Sequence, residues 1–559
     1  MVRKSLFLDP LLAVLSACAV GSPMAMASAP ATPTATPIRH LVVLFDENVS
    51  FDHYFATYPH AANPPGEPAF HAAPATPRVN GLRGMLLADN PNLRNPANGR
   101  GRTDPFRLDR SQAATADQNH GYTAEQRAYD GGKADAFPAF TGRGTSGAVG
   151  AFGTPGQVMG YFDGNTVTAL WNYAQHFAMS DAAYTNTYGP STPGALEVVS
   201  GQTDGVRLVH TSKPPLSGKA ASYYLRDGAG GYGLISDVDP AYDVCSNPHD
   251  QILMRGRNIG DLLDARGVSW GGFMGGFDLQ RVNANGSTGC RRSSTSAVTT
   301  TVTDYIPHHN WFQYFPSTAN PTHARPSSLR AIGHSYEPGT RIHDPANHEY
   351  GLNDFFAAVK AGNFPAVSFL KAPAYEDAHA GYSDPLDEQA FVTRVVNFLE
   401  QQPQWRSTAV IVTYDDSDGW YDHAFATPTN PSFDAQADQL DGPGKCGRGT
   451  PMPGLDGRPV NGRCGPGTRI PFLVISPWAR PDFVSHRRIS LASVTRFIED
   501  NWLHGERLGG GSFDASSGSI MNMFRFGRDQ RLDPPLYLDP ARGTVLRRAP
   551  AGSDSPASS

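Results

Sequence analysis

Residues 38–55 read IRHLVVLFDENVSFDHYF. The run His40–Phe45 has no polar side, a pattern a strand keeps when both of its faces are covered. It ends at once in Asp46, Glu47 and Asn48. Some 370 residues on, the run Thr408–Tyr414 (TAVIVTY) ends in Asp415-Asp416-Ser417-Asp418-Gly419-Trp420-Tyr421-Asp422-His423. Two further runs, Ala366–Leu370 and Pro471–Ser476, also read as buried parallel strands. Helical stripes lie between and after them. Leu352, Phe355, Phe356 and Val359 fit the i, i+3, i+4, i+7 spacing, with Gly362 as a stop. Phe391, Val395, Phe398 and Leu399 form a second stripe, and Leu491, Val494, Phe497 and Ile498 a third. Buried strands alternating with amphipathic helices define an α/β fold with a mostly parallel sheet. In such sheets ligands bind beyond the carboxyl ends of the strands, so the residues just after each run carry the interest.

The 559 residues are ample for a large single core with insertions. Gly 58 and Pro 47 announce long loops, and 10% aromatic residues exclude a disordered chain. A net charge of -6 excludes a nucleic-acid-coating protein, which needs a basic excess.

Residues 1–29 read as an export signal. Arg3 and Lys4 precede an apolar run, Leu11–Val20, that is too short for a membrane span, and Ala25-Met26-Ala27 resembles a cleavage site. Leu15-Ser16-Ala17-Cys18 also resembles a lipobox, which would tether the chain to a membrane through lipidated Cys18. Either reading sends the protein out of the cytoplasm, to the periplasm, the outer membrane or the medium. Residues 30–37 form a Pro/Ala/Thr linker, 38–548 a single domain with insertions, and 549–559 a flexible tail. Of the five cysteines, four remain after Cys18. In an oxidising compartment they read as two disulfides, with three pairings open. The sequential one, Cys245–Cys290 and Cys446–Cys464, is favoured because each pair brackets a Gly/Asn/Ser-rich stretch. Closing the shorter loop is worth ~3 kcal/mol. Both bridges are expected to lie away from the active site.

Oxygen donors at two strand ends are what a hard divalent cation requires, and Glu47, Asn48, Asp415 and Asp416 supply four. The competing use of such residues is helix capping and turn formation. Tyr188-Gly189-Pro190-Ser191-Thr192-Pro193-Gly194 places a hydroxyl in a turn that opens a helix, so that its oxygen and the backbone N–H groups face one point. An ordinary N-cap would look the same. His120, the pair His308-His309, and His379 form a third layer of candidates.

These segments resemble the bacterial phosphoesterase family of phosphatidylcholine-type phospholipases C and acid phosphatase A. The resemblance runs through 38–55, 105–137 (PFRLDRSQAATADQNHGYTAEQRAYDGGKADAF), 188–205 (YGPSTPGALEVVSGQTDG), 304–315 (DYIPHHNWFQYF), 377–385 (DAHAGYSDP) and 410–425 (VIVTYDDSDGWYDHAF). It implies an alkaline-phosphatase-like fold with long ordered loops. It also implies a nucleophile at Ser191 bound to one metal, whose other ligands are Glu47, Asn48, Asp415 and Asp416. Phosphate would be held by His120, His308, His309 and His379. Ala380 departs from the family, where a proline is expected, and so does Asp416, where other branches carry glutamate.

The expected activity is therefore exported, metal-dependent hydrolysis of a phosphate ester through a phosphoserine, at mildly acid pH where imidazoles carry charge. The 304–315 segment and the short stretch beyond residue 505 favour the phosphomonoesterase branch over a phospholipase C-like phosphodiesterase. Trp311, Trp420 and Tyr421 are candidates for a choline-receptive wall, with core packing as the competing use. A sulfatase would need an arginine in the Ser-x-Pro-x-Arg context, and Ala195 stands there. A non-catalytic metal- or phosphate-binding lipoprotein would not need Ser191.

Overall fold

The run at 40–45 becomes a strand near the middle of an eight-stranded sheet. The computed structural model describes residues 1, 33–144, 150–209, 224–249, 251–297, 300–527 and 532–548. The export signal, Cys18, the start of the linker and the tail 549–559 lie outside the described residues. In chain order the sheet strands are β1 (His40–Asp46), β2 (Ala178–Ser180), β3 (Trp270–Met274), β4 (Glu349–Gly351), β5 (Val367–Lys371), β6 (Thr408–Tyr414), β7 (Phe472–Ile475) and β8 (Phe483–Ser485). Their order across the sheet is β4-β3-β5-β1-β6-β7-β2-β8.

Every neighbouring pair from β4 to β6 is parallel. β7 is antiparallel to both its neighbours, which corrects the reading of Pro471–Ser476 as a parallel strand. The reason is the route of the chain. After β6 it goes into an excursion, 415–471, that contains no crossover helix to carry it back to the amino edge. It re-enters the sheet from the side it left, and must run the other way. Periodicity reports burial, and burial is the same for either direction.

The three stripes form the helices Leu352–Lys360, Pro385–Glu400 and Ala492–Trp502. Leu352, Phe355, Phe356 and Val359 are all buried, and Gly362 takes the left-handed φ of 82° that ends the first of these helices. Asp384 caps the second through Leu386 N–H (2.8 Å) and Asp387 N–H (3.1 Å), with Pro385 in the first turn, where its missing N–H costs nothing. One continuous hydrophobic core joins the sheet strands to these helices. Trp311 and Trp420 are fully buried within aromatic clusters, and Tyr421 packs against Phe137 while its hydroxyl accepts from Asn90. None of the three offers a ring face to a ligand, so the choline-wall reading gives way to core packing.

The described residues from Thr34 onward form one compact unit. The end of the linker is docked in it. Ala35 N–H donates to Asn501 O (2.9 Å), Thr36 N–H and Oγ1 donate to Asn501 Oδ1 (3.0 and 2.8 Å), and Asn501 Nδ2 donates to Ile38 O (2.9 Å). The disulfides are Cys245–Cys290 and Cys446–Cys464, with Cα separations of 5.3 and 5.9 Å. Among the described residues no helix is long and apolar enough to cross a membrane.

Replacing Asn501 by alanine removes three side-chain hydrogen bonds at the entry to β1. At ~0.5–1.5 kcal/mol each, the loss should be about 2–3 kcal/mol. Denaturant unfolding and faster amide exchange at residues 36–41 would register it. Unchanged exchange there would show that the anchor is dispensable.

Candidate active site

β1 and β6 pair in parallel register from His40↔Thr408 to Asp46↔Tyr414, so the residues that follow leave the sheet side by side. Asp415 N–H donates to Asp46 O (3.2 Å) and Val49 N–H to Asp416 O (3.0 Å), which holds the two exits together past the sheet. Asn48 sits at φ 63°, a left-handed conformation that asparagine tolerates. Its N–H donates to Asp415 Oδ1 (2.9 Å) and its side-chain amide to Asp418 Oδ1 (3.0 Å).

The helix Ser191–Ser200 opens at Ser191 with no side-chain cap, so neither Ser191 nor Thr192 is an N-cap. Ser191 Oγ lies 2.8 Å from Glu47 Oε2, 3.3 Å from Asn48 Oδ1 and 3.3 Å from Asp416 Oδ2. Asp415 joins the group through Oδ1, which accepts Asn48 N–H (2.9 Å) and Asp416 N–H (2.7 Å). The sequence-derived set is thus gathered around one hydroxyl. Gly194 is what allows the approach: a Cβ there would lie 2.2 Å from the carbonyl oxygen of Asp415. One sequence expectation fails at this turn. Thr192 N–H does not face the site; it donates to Asp237 Oδ1 (2.9 Å).

The four histidines form an arc. Ring centroids are 4.6 Å apart for His308 and His309, 6.3 Å for His309 and His379, and 6.0 Å for His379 and His120. One end is tied to the nucleophile helix, where Thr192 Oγ1 donates to His308 O (3.2 Å). His309 Nδ1 lies 3.2 Å from Glu47 Oε1. The other end meets Asp418, whose Oδ1 is 3.1 Å from His120 Nδ1.

Several members of the site were not singled out from sequence. Lys371, at the end of β5, makes a buried ion pair with Glu47 Oε1. Asp377 accepts His379 N–H (3.0 Å), and its carbonyl accepts Glu47 N–H (2.8 Å). Glu125 links the Ser191 turn to the Asp415 loop, accepting from Gly189 N–H (3.0 Å) and Ser417 Oγ (2.7 Å). A charged residue at the end of an apolar strand was a usable signal for Lys371, but which strand lies beside β1 was not readable. The expectation that both disulfides lie away from the site holds less well for Cys446–Cys464. Cys464 O accepts from Tyr188 N–H (3.0 Å), three residues before Ser191.

The charges are strongly coupled. Burial first, then the Asp415 charge, pushes Glu47 and Asp416 well above the usual carboxylate range. Burial pushes Asp418 up to about 8. Burial also opposes ionisation of Asp415, but Lys371 and the hydrogen bonds it accepts outweigh that and hold it low. Burial, and then the neighbouring positive groups His308 and Lys371, push His309 well down. Burial takes His379 to about 4. For His120 and His308 burial is outweighed by nearby aspartates, Asp416 and Asp418 for the first and Asp239 and Asp237 for the second, and both are raised.

This donor set fits a divalent cation. A hydroxyl has one proton, yet Glu47, Asn48 and Asp416 all aim an oxygen at Ser191 Oγ, and buried Asp415 Oδ2 has no hydrogen-bond partner. A hard cation satisfies such converging oxygens, and removes the repulsion that raises Glu47 and Asp416. Three further groupings of metal-type side chains occur among the described residues: Asp117, His120 and His379 at the end of the histidine arc, and two that are already satisfied. Asp52, Asp422 and His423 are held by Arg469, and in Asp243, Cys245 and His323 the cysteine is in a disulfide.

Residues 38–503 match the Phosphoesterase family, and the chain belongs to it. The chain is similar to the non-hemolytic phospholipase C of Burkholderia pseudomallei, 25% identical over 84% of this chain and 55% of that protein. It is also similar to phospholipase C A of Mycobacterium tuberculosis, 26% identical over 80% of this chain and 69% of the other. A shorter match, 32% identical over 25% of each chain, is to non-specific phospholipase C5 of Arabidopsis thaliana. The chain spans about half the length of the first of these relatives.

Two outcomes follow from the nucleophile helix. Gly194→Ala should cost ~1–3 kcal/mol of stability, because backbone meets backbone there and neither can swing aside. It should also lower turnover by moving Ser191, and a structure with Ser191 Oγ still 2.8 Å from Glu47 would refute this account. The second concerns Glu197 on the same helix, which accepts from Asn186 N–H and Thr187 Oγ1, both at 2.7 Å. Burial raises its carboxyl to about 8 from 4.5. Between those values the folded chain keeps a proton that the unfolded chain has lost. Its contribution to stability therefore falls as pH rises through that window. Glu197→Gln should gain melting temperature relative to the parent between pH 5 and pH 8.5; a pH-independent difference would contradict the shift.

Proposed function

We propose that the chain is an exported phosphomonoesterase that transfers the phosphoryl group to Ser191 and then to water. The observation that carries this reading is the convergence of Glu47, Asn48 and Asp416 oxygens on Ser191 Oγ at the carboxyl edge of the sheet. Glu47, Asn48, Asp415 and Asp416 would hold one divalent ion. When bound, it lowers the pKa of the serine hydroxyl and neutralises phosphate oxygens. Ser191 Oγ attacks phosphorus, and the leaving alkoxide takes a proton from the His308–His309 end of the arc. His120, raised by its aspartates, supplies positive charge to the equatorial oxygens from the other side, and His379 beside it closes the arc as a neutral imidazole. Water then cleaves the phosphoserine with a histidine as base. His309, pushed well down, is suited to accept that proton, and His308, raised, to supply one. Export is supported by the two disulfides, which belong to an oxidising compartment.

A phospholipase C-like phosphodiesterase is the second reading, favoured by the relatives' printed activity. The monoester reading is supported by the histidine arc, since a doubly charged monoester needs more positive charge than a diester. The burial of Trp311, Trp420 and Tyr421 removes the proposed choline wall.

Turnover of p-nitrophenyl phosphate, its bis-ester and p-nitrophenylphosphocholine, with and without chelator, separates the readings. The monoester should be fastest, and chelator should abolish the activity; a preference for the phosphocholine ester would select the second reading. Ser191→Ala should abolish turnover and keep the fold. His308→Ala should slow alkyl phosphates more than p-nitrophenyl phosphate, whose leaving group needs less protonation, whereas His309→Ala should slow hydrolysis of the phosphoserine. The rate should decline as pH rises through the raised values of His120 and His308, where their charge is lost. A maximum near pH 9, or an active Ser191→Ala variant, would point to direct attack by water.

A further inference from the structure

Lys371 is buried at the floor of the site, and the reaction as written does not use it. Its ammonium pairs with Glu47 Oε1, donates to Phe45 O (3.2 Å) and lies 5.1 Å from the centre of the Phe45 ring. Such a position is costly for an unpaired charge, and Glu47 is the partner that makes it tenable. Glu47 therefore has two different oxygens. Oε2 faces Ser191 at 2.8 Å, while Oε1 is taken by Lys371 and His309.

On the Lys371 side stand further metal-type ligands. His309 Nδ1 is 3.2 Å from Glu47 Oε1 and 3.8 Å from Asp377 Oδ2. A small cavity of about 10 Å³ is lined by His309, Lys371 and Asp377. His309 Nδ1 thus lies between the Glu47 and Asp377 carboxylates, with the ammonium beside them. The amine supplies the positive charge there, fixed to the chain.

We propose that Lys371 is a positioning residue that takes the place of a second cation, holding Glu47 to one ligand oxygen and limiting the site to a single divalent ion. This rests on the reading that Glu47, Asn48, Asp415 and Asp416 hold one such ion. It assigns the stoichiometry of that site to a residue that touches neither substrate nor metal. A flexible lysine stem suits the role, because a compact ammonium fits where a hydrated divalent ion otherwise would.

The test is metal stoichiometry on the full chain. Metal-free parent, Lys371→Ala, Lys371→Met and Lys371→Arg proteins are titrated with Mn²⁺ and with Zn²⁺ by calorimetry, and bound metal is counted after desalting. The parent and Lys371→Arg should bind one equivalent. Lys371→Ala should bind two, with Asp377→Asn in that background returning it to one. Lys371→Met keeps the volume of the stem and guards against collapse of the alanine variant; it should weaken the single ion at least tenfold or admit a second. Circular dichroism confirms that each titrated protein is folded. One equivalent of unchanged affinity in the parent, alanine and methionine proteins overturns this inference and leaves the one-metal reading standing. Two equivalents in the parent also overturn it. A parent that binds no divalent ion overturns both.

Discussion

Parallel pairing of β1 with β6 is the constraint on which the site depends. Seven residue pairs in fixed register deliver Glu47-Asn48 and Asp415-Asp416 to the same edge at the same height. A slip of one residue would turn each strand's side chains to the other face and separate the donors. The register is secured by burial on both faces, since every residue of β6 and all but the first of β1 are buried. Hydrophobic burial thus supports the cost of crowding carboxylates that repel one another. Burial raises Glu47 and Asp416, and the Asp415 charge adds to it.

Behind the donors a second ionic network locks the two exits. Arg469 donates to Asp52 (2.9 Å) and Asp422 (3.0 Å) and lies over the Phe51 ring, while Asp52 also receives His423. Asp52 N–H donates in turn to Asp422 Oδ2 (2.9 Å). The Asp-His pairs in FDHYF and WYDHAF therefore tie one motif to the other and to the entry of β7. His53 differs from His423: it is buried, stacks on Trp420, and burial lowers it to about 3, so it serves packing. Motif residues at such density need not all be chemical.

The turn before Ser191 is held from three sides. Glu197 accepts from Asn186 and Thr187, Glu125 from Gly189, and Cys464 O from Tyr188 N–H. Three backbone N–H groups and a hydroxyl before Ser191 are committed in this way, so the serine is presented by a rigid support. Asp237 occupies the helix's own Thr192 N–H, so that donor is turned away from the Ser191 side of the turn.

By itself the sequence determined the strands at both ends of the argument and the three amphipathic helices; its motifs pointed to the residues that gather around Ser191, and the Gly/Asn/Ser-rich stretches favoured one of three cysteine pairings. These depend on short-range pattern or on a local motif, and neither requires knowing the chain's path. Tertiary structure alone decided the direction of β7, the burial of Trp311, Trp420 and Tyr421, and the loss of Thr192 N–H to Asp237. It also decided Lys371, which matters because β5 lies beside β1, a neighbour relation with no trace in either strand's own residues. Periodicity states that a residue is buried; which charge it is buried against depends on what the rest of the chain brings alongside.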